Sequence, residues 1–218
     1  WAIELQTSSS TIGARNHRPA AHPFRNGTPL FALLKDGRPR KANRFARTPC
    51  SASHGAPFLG QRDLFLIRPM PQQIRPPAST EGLRANVGSI IVAAAGQSGE
   101  STLFGRCELG DYFNGALVSE HTLHLLVDLN KIDHRYLFAV LHCPWGVGAL
   151  KSCATGTSVP SLDPTLLASL RIPRLGSKLE AAVAKHIETA YRARTEAARA
   201  ETRAIEVLER EVLAAWLG

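Results

Sequence analysis

Ser177–Leu217 reads SKLEAAVAKHIETAYRARTEAARAETRAIEVLEREVLAAWL, a run with no proline or glycine and rich in Ala, Glu and Arg. These residues give up little conformational freedom in a helix, so the run predicts one continuous helix. Ser177 and Glu180 have the spacing of a capping box. Glu188–Arg192 and Glu206–Arg210 stand at the i,i+4 spacing of supporting ion pairs. At about 1.5 Å per residue the helix would reach roughly 60 Å, more than the width of a domain this size. A helix of that length needs a surface to pack on.

Its seam can be written in heptads. The a positions are Ala184, Tyr191, Ala198, Ile205 and Val212, and the d positions are Ile187, Arg194, Glu201, Leu208 and Ala215. The seam is apolar at both ends and polar at Arg194 and Glu201, which suits antiparallel or heterologous pairing better than a parallel zipper. Ile187, Tyr191, Ala198, Ile205, Leu208 and Val212 are therefore the expected assembly face of a projecting arm.

Working backwards, LLASLRIPRLG (Leu166–Gly176) leads into the helix, and Asp163 before Pro164 marks the N-cap of a short helix reaching about Ser169. His134–Cys143 predicts a helix that Pro144 ends, with a second helical piece from Trp145 to about Cys153. Leu117–Val127 is the cleanest strand pattern, with Leu117, Ser119, His121, Leu123, Leu125 and Val127 on one face. Asn86–Ala95 predicts another strand, followed by the glycine loop Gly96–Glu100. Before Arg84, ten prolines and short apolar pieces predict short strands joined by long loops. The expected class is α+β: a mixed, loop-rich domain over 1–175, then a long coiled-coil-type helix over 176–218.

The 218 residues carry a net charge of +8, and its distribution is uneven. Residues 1–84 hold 13 Lys/Arg against 4 Asp/Glu, whereas 85–218 hold 13 against 14. A polyanion is the natural partner of such a front end. The basic candidates are Arg15, Arg18, Arg25, Lys35, Arg38, Arg40, Lys41, Arg44, Arg47 and Arg62, with Phe45 interleaved. Arginine's two-pronged donor fits guanine O6/N7 or a phosphate, and most such contacts hold the backbone. Asn16, Asn43, Gln61 and Gln97 have the chemistry of base readers, and Ser98 lies beside Gln97 in the glycine loop.

Other chemistries are weakly represented. The four cysteines have no CxxC spacing and read as small core residues in a reducing compartment. His121 and His124, three apart on a strand, point to opposite faces and do not form a metal pair. Ala94–Ser101 approaches a phosphate-binding loop but places Glu100 where lysine is required, with no helical pattern after it. No catalytic constellation stands out, so no cofactor or metal is expected. No apolar run reaches the roughly 18 residues of a membrane span. The chain opens on Trp1 and its one methionine is Met70, so an upstream portion is expected.

The order of elements from Gly96 onward resembles one target-recognition domain plus one spacer helix of the specificity subunits of Type I restriction–modification systems. That order is a glycine turn (Gly96–Gly99), an SEH strand (Ser119–His121), a DxxYL helix (Asp133–Leu137), GTSVPxLD (Gly156–Asp163), LxIP (Leu170–Pro173) and the helix. The resemblance is clear over Val87–Leu217 and weak over 1–84. It implies a non-catalytic subunit that recognises double-stranded DNA in the prokaryotic cytoplasm. It further implies assembly with methyltransferase (modification) subunits and, in restriction, a motor–nuclease subunit, for DNA methylation and phage defence. A half-length subunit would also pair with itself through the helix. Two other readings remain at this stage: an RNA-binding or scaffold protein with a helical arm, and a nucleotide-binding enzyme using the glycine loop.

Overall fold

The computed structural model describes residues 27–217, apart from 42, 81, 97–102 and 157–158. Along the chain come β1 (Thr28–Pro29), α1 (Leu30–Leu33), β2 (Ala56–Leu59), β3 (Gln72–Ile74), β4 (Ser89–Ala93) and β5 (Cys107–Leu109). They are followed by β6 (Leu117–Val118), β7 (Thr122–Leu126), α2 (His134–His142), α3 (Pro144–Ser152), β8 (Ala154–Thr155) and β9 (Ser161–Leu162). The chain ends in α4 (Pro164–Ala168), β10 (Arg171–Ile172) and α5 (Ser177–Val207), which continues through a π-helical turn (Leu208–Leu213) into α6 (Ala214–Leu217). The architecture is α+β, several small sheets and a long C-terminal helix.

The organising strand is β4, which lies antiparallel between β5 and β7. All five of its residues are buried, because both faces are covered. Ile90 and Val92 face the main core with Leu123, Leu125, Tyr136, Leu137 and Leu141. Ile91 faces a smaller core with Leu59, Leu64, Phe113 and Val118. Burial on both faces explains the continuous SIIVA run, since alternation is needed only where one face meets water. A second sheet has β2 antiparallel to β3 and parallel to β6, and β1 with β10 ties the start of the described chain to its late segment.

The expected single strand over Leu117–Val127 is two strands in two sheets. Between them the chain turns at Ser119, whose carbonyl accepts from the Thr122 N–H at 3.1 Å and the Thr122 hydroxyl at 2.7 Å. His121 at this turn is exposed while His124 is buried. The helical expectations fare better. Asp133 caps α2 through Arg135 N–H, Cys143 caps α3 with Pro144 at its first position, and Asp163 caps α4 through the Thr165 and Leu166 N–H groups. Gly146 matters at the α2–α3 elbow, where a Cβ would collide with the Val140 carbonyl.

The capping box at Ser177 and Glu180 does not form. Gly176 is the N-cap. Glu180 is buried and reaches back to the Arg174 guanidinium and the Leu175 N–H, at 2.9 Å each. The Arg174 hydrogen bond holds its carboxyl below the usual range.

The first half of the helix is not a free arm. Val183, Ala184, Ile187 and Tyr191 pack into the main core, and Tyr191 meets Tyr112 and Phe138 edge-on. Ile187 and Tyr191 are thus held by the chain's own α2. Beyond them, Arg194 pairs with Glu108 at 2.7 Å and Glu201 with Arg68 at 3.5 Å. These are the two positions that spoil the heptad seam. Ala198 lies half-buried between them and Ile205 half-buried after them, while Leu208, Val212 and Trp216 are 48%, 49% and 86% exposed.

Candidate nucleic-acid interface

The basic segment after α1 is held along β7 by backbone pairing. Lys35 N–H donates to the Leu126 carbonyl at 2.9 Å, and Arg40 and His124 exchange two bonds of 2.8 Å. Between these contacts the chain bulges out from β7 through a turn at Gly37, whose φ of 66° lies in the left-handed region. This irregular edge turns Arg38 and Lys41 to solvent, and Asn43 and Arg44 follow on the exposed side.

Together these residues form one wall of a cleft of about 820 Å³, lined by Arg38, Arg40, Lys41, Asn43, Arg44 and Phe45. Pro77, Ser79 and Leu83 stand across it, and Pro164, Thr165 and Ala168 of α4 close one side. No acidic residue lines it among the described residues. Arg40 is steadied by Asp36 at 2.7 Å, and Lys41 reaches the Ser161 hydroxyl at 3.5 Å. Arg38 and Arg44 make no ion pair or hydrogen bond among the described residues. A cleft with four cations on one wall, partly positioned and partly free, attracts a polyanion and leaves side chains to adapt to it.

The remaining sequence candidates divide. Arg15, Asn16, Arg18, Arg25, Gln97 and Ser98 lie outside the described residues. Lys35 is exposed beside the cleft without lining it, and Arg62 is exposed elsewhere, before the Asp63–Phe65 turn. Arg47 is held back: it pairs with Glu120 at 2.7 Å and sits over the Phe58 ring at 4.9 Å. Burial pushes the Glu120 carboxyl up, but the Arg47 hydrogen bond, a backbone hydrogen bond and the Arg47 charge together outweigh it and leave it below the usual range. Gln61 braces the chain at Ala95. Its amide donates to the Ala95 carbonyl at 2.8 Å, and its oxygen is buried without a partner among the described residues.

Sequence inspection missed the other lining residues, among them Pro77, Ser79 and Thr165. The Asp163–Pro164 cap signalled α4, but nothing local indicates that α4 borders a cleft whose basic wall lies some 120 positions earlier. The glycine loop joins β4 to β5, which returns antiparallel to β4; a phosphate-binding loop would open a helix there. His124 is buried, and that burial lowers its pKa to about 4, so it is neutral near pH 7. Among the described residues no group of His, Cys, Asp and Glu could hold a metal ion, and no helix is long and apolar enough to cross a membrane. The four cysteines are free thiols.

No protein-family model matches the chain, and no curated protein does. A solved structure does match. The S subunit of a Type-I restriction-modification system from M. genitalium aligns with a TM-score of 0.50 at 14% identity, over 76% of this chain. The likeness is one of fold. The chain corresponds to 39% of that subunit's length, and Ser119–His121, expected as a strand, is the turn between β6 and β7.

Proposed function

We propose that this chain is a sequence-specific double-stranded DNA recognition subunit of a restriction–modification complex, without catalytic chemistry of its own. The observation that carries the reading is the basic cleft on a chain whose fold is similar to an S subunit. In this reading Arg38, Arg40, Lys41 and Arg44 hold phosphates, and Asn43 and one of the free arginines meet base edges. Arg15, Arg18 and Arg25, with Gln97 and Ser98 of the glycine loop, are further contacts in this reading. The exposed end of the helix, with Leu208 and Val212, recruits methyltransferase subunits, a motor–nuclease subunit, or a second copy of the chain.

Methylome sequencing of a host with and without the chain tests this directly. Loss of one bipartite methylation motif is the expected result, and an unchanged methylome overturns it. Competition between duplex DNA and structured RNA for the purified chain separates the reading from an RNA-binding scaffold. Duplex DNA should win by a margin that grows for one sequence.

A further inference from the structure

Arg194 is tied to three separate elements. Its guanidinium donates to Oε2 of Glu108 on β5 at 2.7 Å and to the Leu66 carbonyl at 2.8 Å. It also sits over the Tyr112 ring, 4.6 Å from the centroid. Glu108 is 4% exposed, and its other oxygen accepts from the Leu109 N–H at 3.1 Å. Neighbouring Tyr112 donates its hydroxyl to the Ile67 carbonyl at 3.3 Å, so the 66–67 segment is held from two sides.

As a source of stability this arrangement is poor. A buried ion pair repays little of its desolvation, and the Arg194 Nε is buried without a partner among the described residues. Its geometry has more to offer. The root of α5 is mounted on α2 by apolar contacts at Ala184, Ile187 and Tyr191; crossing angles of apolar helix pairs differ by about 15° from one structure to another, so apolar contact alone does not specify the angle. From Arg194 to Leu217 the helix runs roughly 35 Å. A tilt of about 15° at the mount would carry its tip roughly 9 Å sideways. Arginine's rigid fork, set between an acid on β5 and a carbonyl on a loop, admits one direction out of that range.

We infer that Arg194 is a positioning residue: it fixes the direction in which the distal helix leaves the domain. The purpose of that direction rests on the helix being an assembly arm, but the geometry itself does not. The test therefore uses the free chain, without DNA or partner, so that failure of the DNA-recognition reading would leave it intact.

Spin labels carried on a bio-orthogonal amino acid at exposed Ser53 and Glu209 report the distance from domain to distal helix by pulsed electron resonance. The otherwise unaltered chain should give a single narrow distance. The double replacement Arg194→Met with Glu108→Leu removes both charges together and should keep the thermal midpoint while losing the narrow distance. Arg194→Lys, which keeps the charge but not the fork, should recover it only in part. A double variant that keeps the narrow distance overturns the proposal, as does a distribution that widens only in step with a falling thermal midpoint. Should that variant not fold, the near-isosteric Glu108→Gln decides: a broadened distance supports the assignment and an unaltered one removes it.

Discussion

The root and the tip of the C-terminal helix share one heptad register and put it to different use. At the root, Ala184, Ile187 and Tyr191 lie against α2 and the main core. At the tip, Leu208, Val212 and Trp216 face solvent. Between them the seam positions Arg194 and Glu201 bind Glu108 and Arg68. A periodic apolar stripe therefore says which residues share a face but not what covers that face. Here the same stripe passes from an internal interface, over a polar joint, to an open one.

The sharpest way to break this contrast is Ala198→Pro, which interrupts the helix within the joint, between Arg194 and Glu201. It should cost about 3 kcal/mol of helical stability and uncouple the tip from the domain. Circular dichroism and size-exclusion of the chain with the proposed partner subunits should show loss of helix and of assembly; intact assembly would mean that the tip does not act as an arm. Tyr191→Ala, at the root, should lower the folding free energy by about 3 kcal/mol, read from urea unfolding, because it empties an aromatic contact in the core.

The domain that carries the root should itself be acid-sensitive. His124 is kept neutral by burial, with a folded pKa of about 4 against an ordinary 6.5. The unfolded chain thus takes up a proton that the fold refuses. Stability is full above pH 6.5 and falls as pH drops towards 4, by about 2 kcal/mol near pH 5. Urea unfolding at pH 7 and near pH 5 would measure it, and His124→Gln should remove most of the difference.

Replacing Arg38, Arg40, Lys41 and Arg44 together by Ala should flatten the dependence of DNA binding on salt by about three units of slope. It should leave folding unaffected, since these side chains lie at the surface. An unchanged slope would move the contact face elsewhere. The smallest effect belongs to the tip: Leu208→Ala with Val212→Ala should alter folding stability by less than about 0.5 kcal/mol while weakening assembly. A large loss of stability would mean that the tip is packed after all, and the contrast with the root would disappear.

What could be read from the chain follows the range of the forces involved. The cap at Asp163, the break at Pro144 and the long C-terminal helix each depend on residues within a turn or two, whereas the cap at Asp133 was not singled out. The basic wall of the cleft was legible as a cluster of charge, because Arg38, Arg40, Lys41 and Arg44 are close in sequence. That Arg47 and Gln61 are tied down was not, since Glu120 and Ala95 lie 73 and 34 positions away. The break in Leu117–Val127 was hidden for a similar reason: buried strands in two sheets are both apolar, and only their separate partners, β2 and β4, distinguish them.

Local chemistry thus determined that this protein has a charged front, a succession of short capped elements and a long closing helix. Tertiary structure alone decided which cations are tied to distant groups and how much of the helix packs against its own domain. Both depend on which distant groups come within a few ångströms, where hydrogen bonds and apolar contacts act, and no stretch of neighbouring residues contains that information.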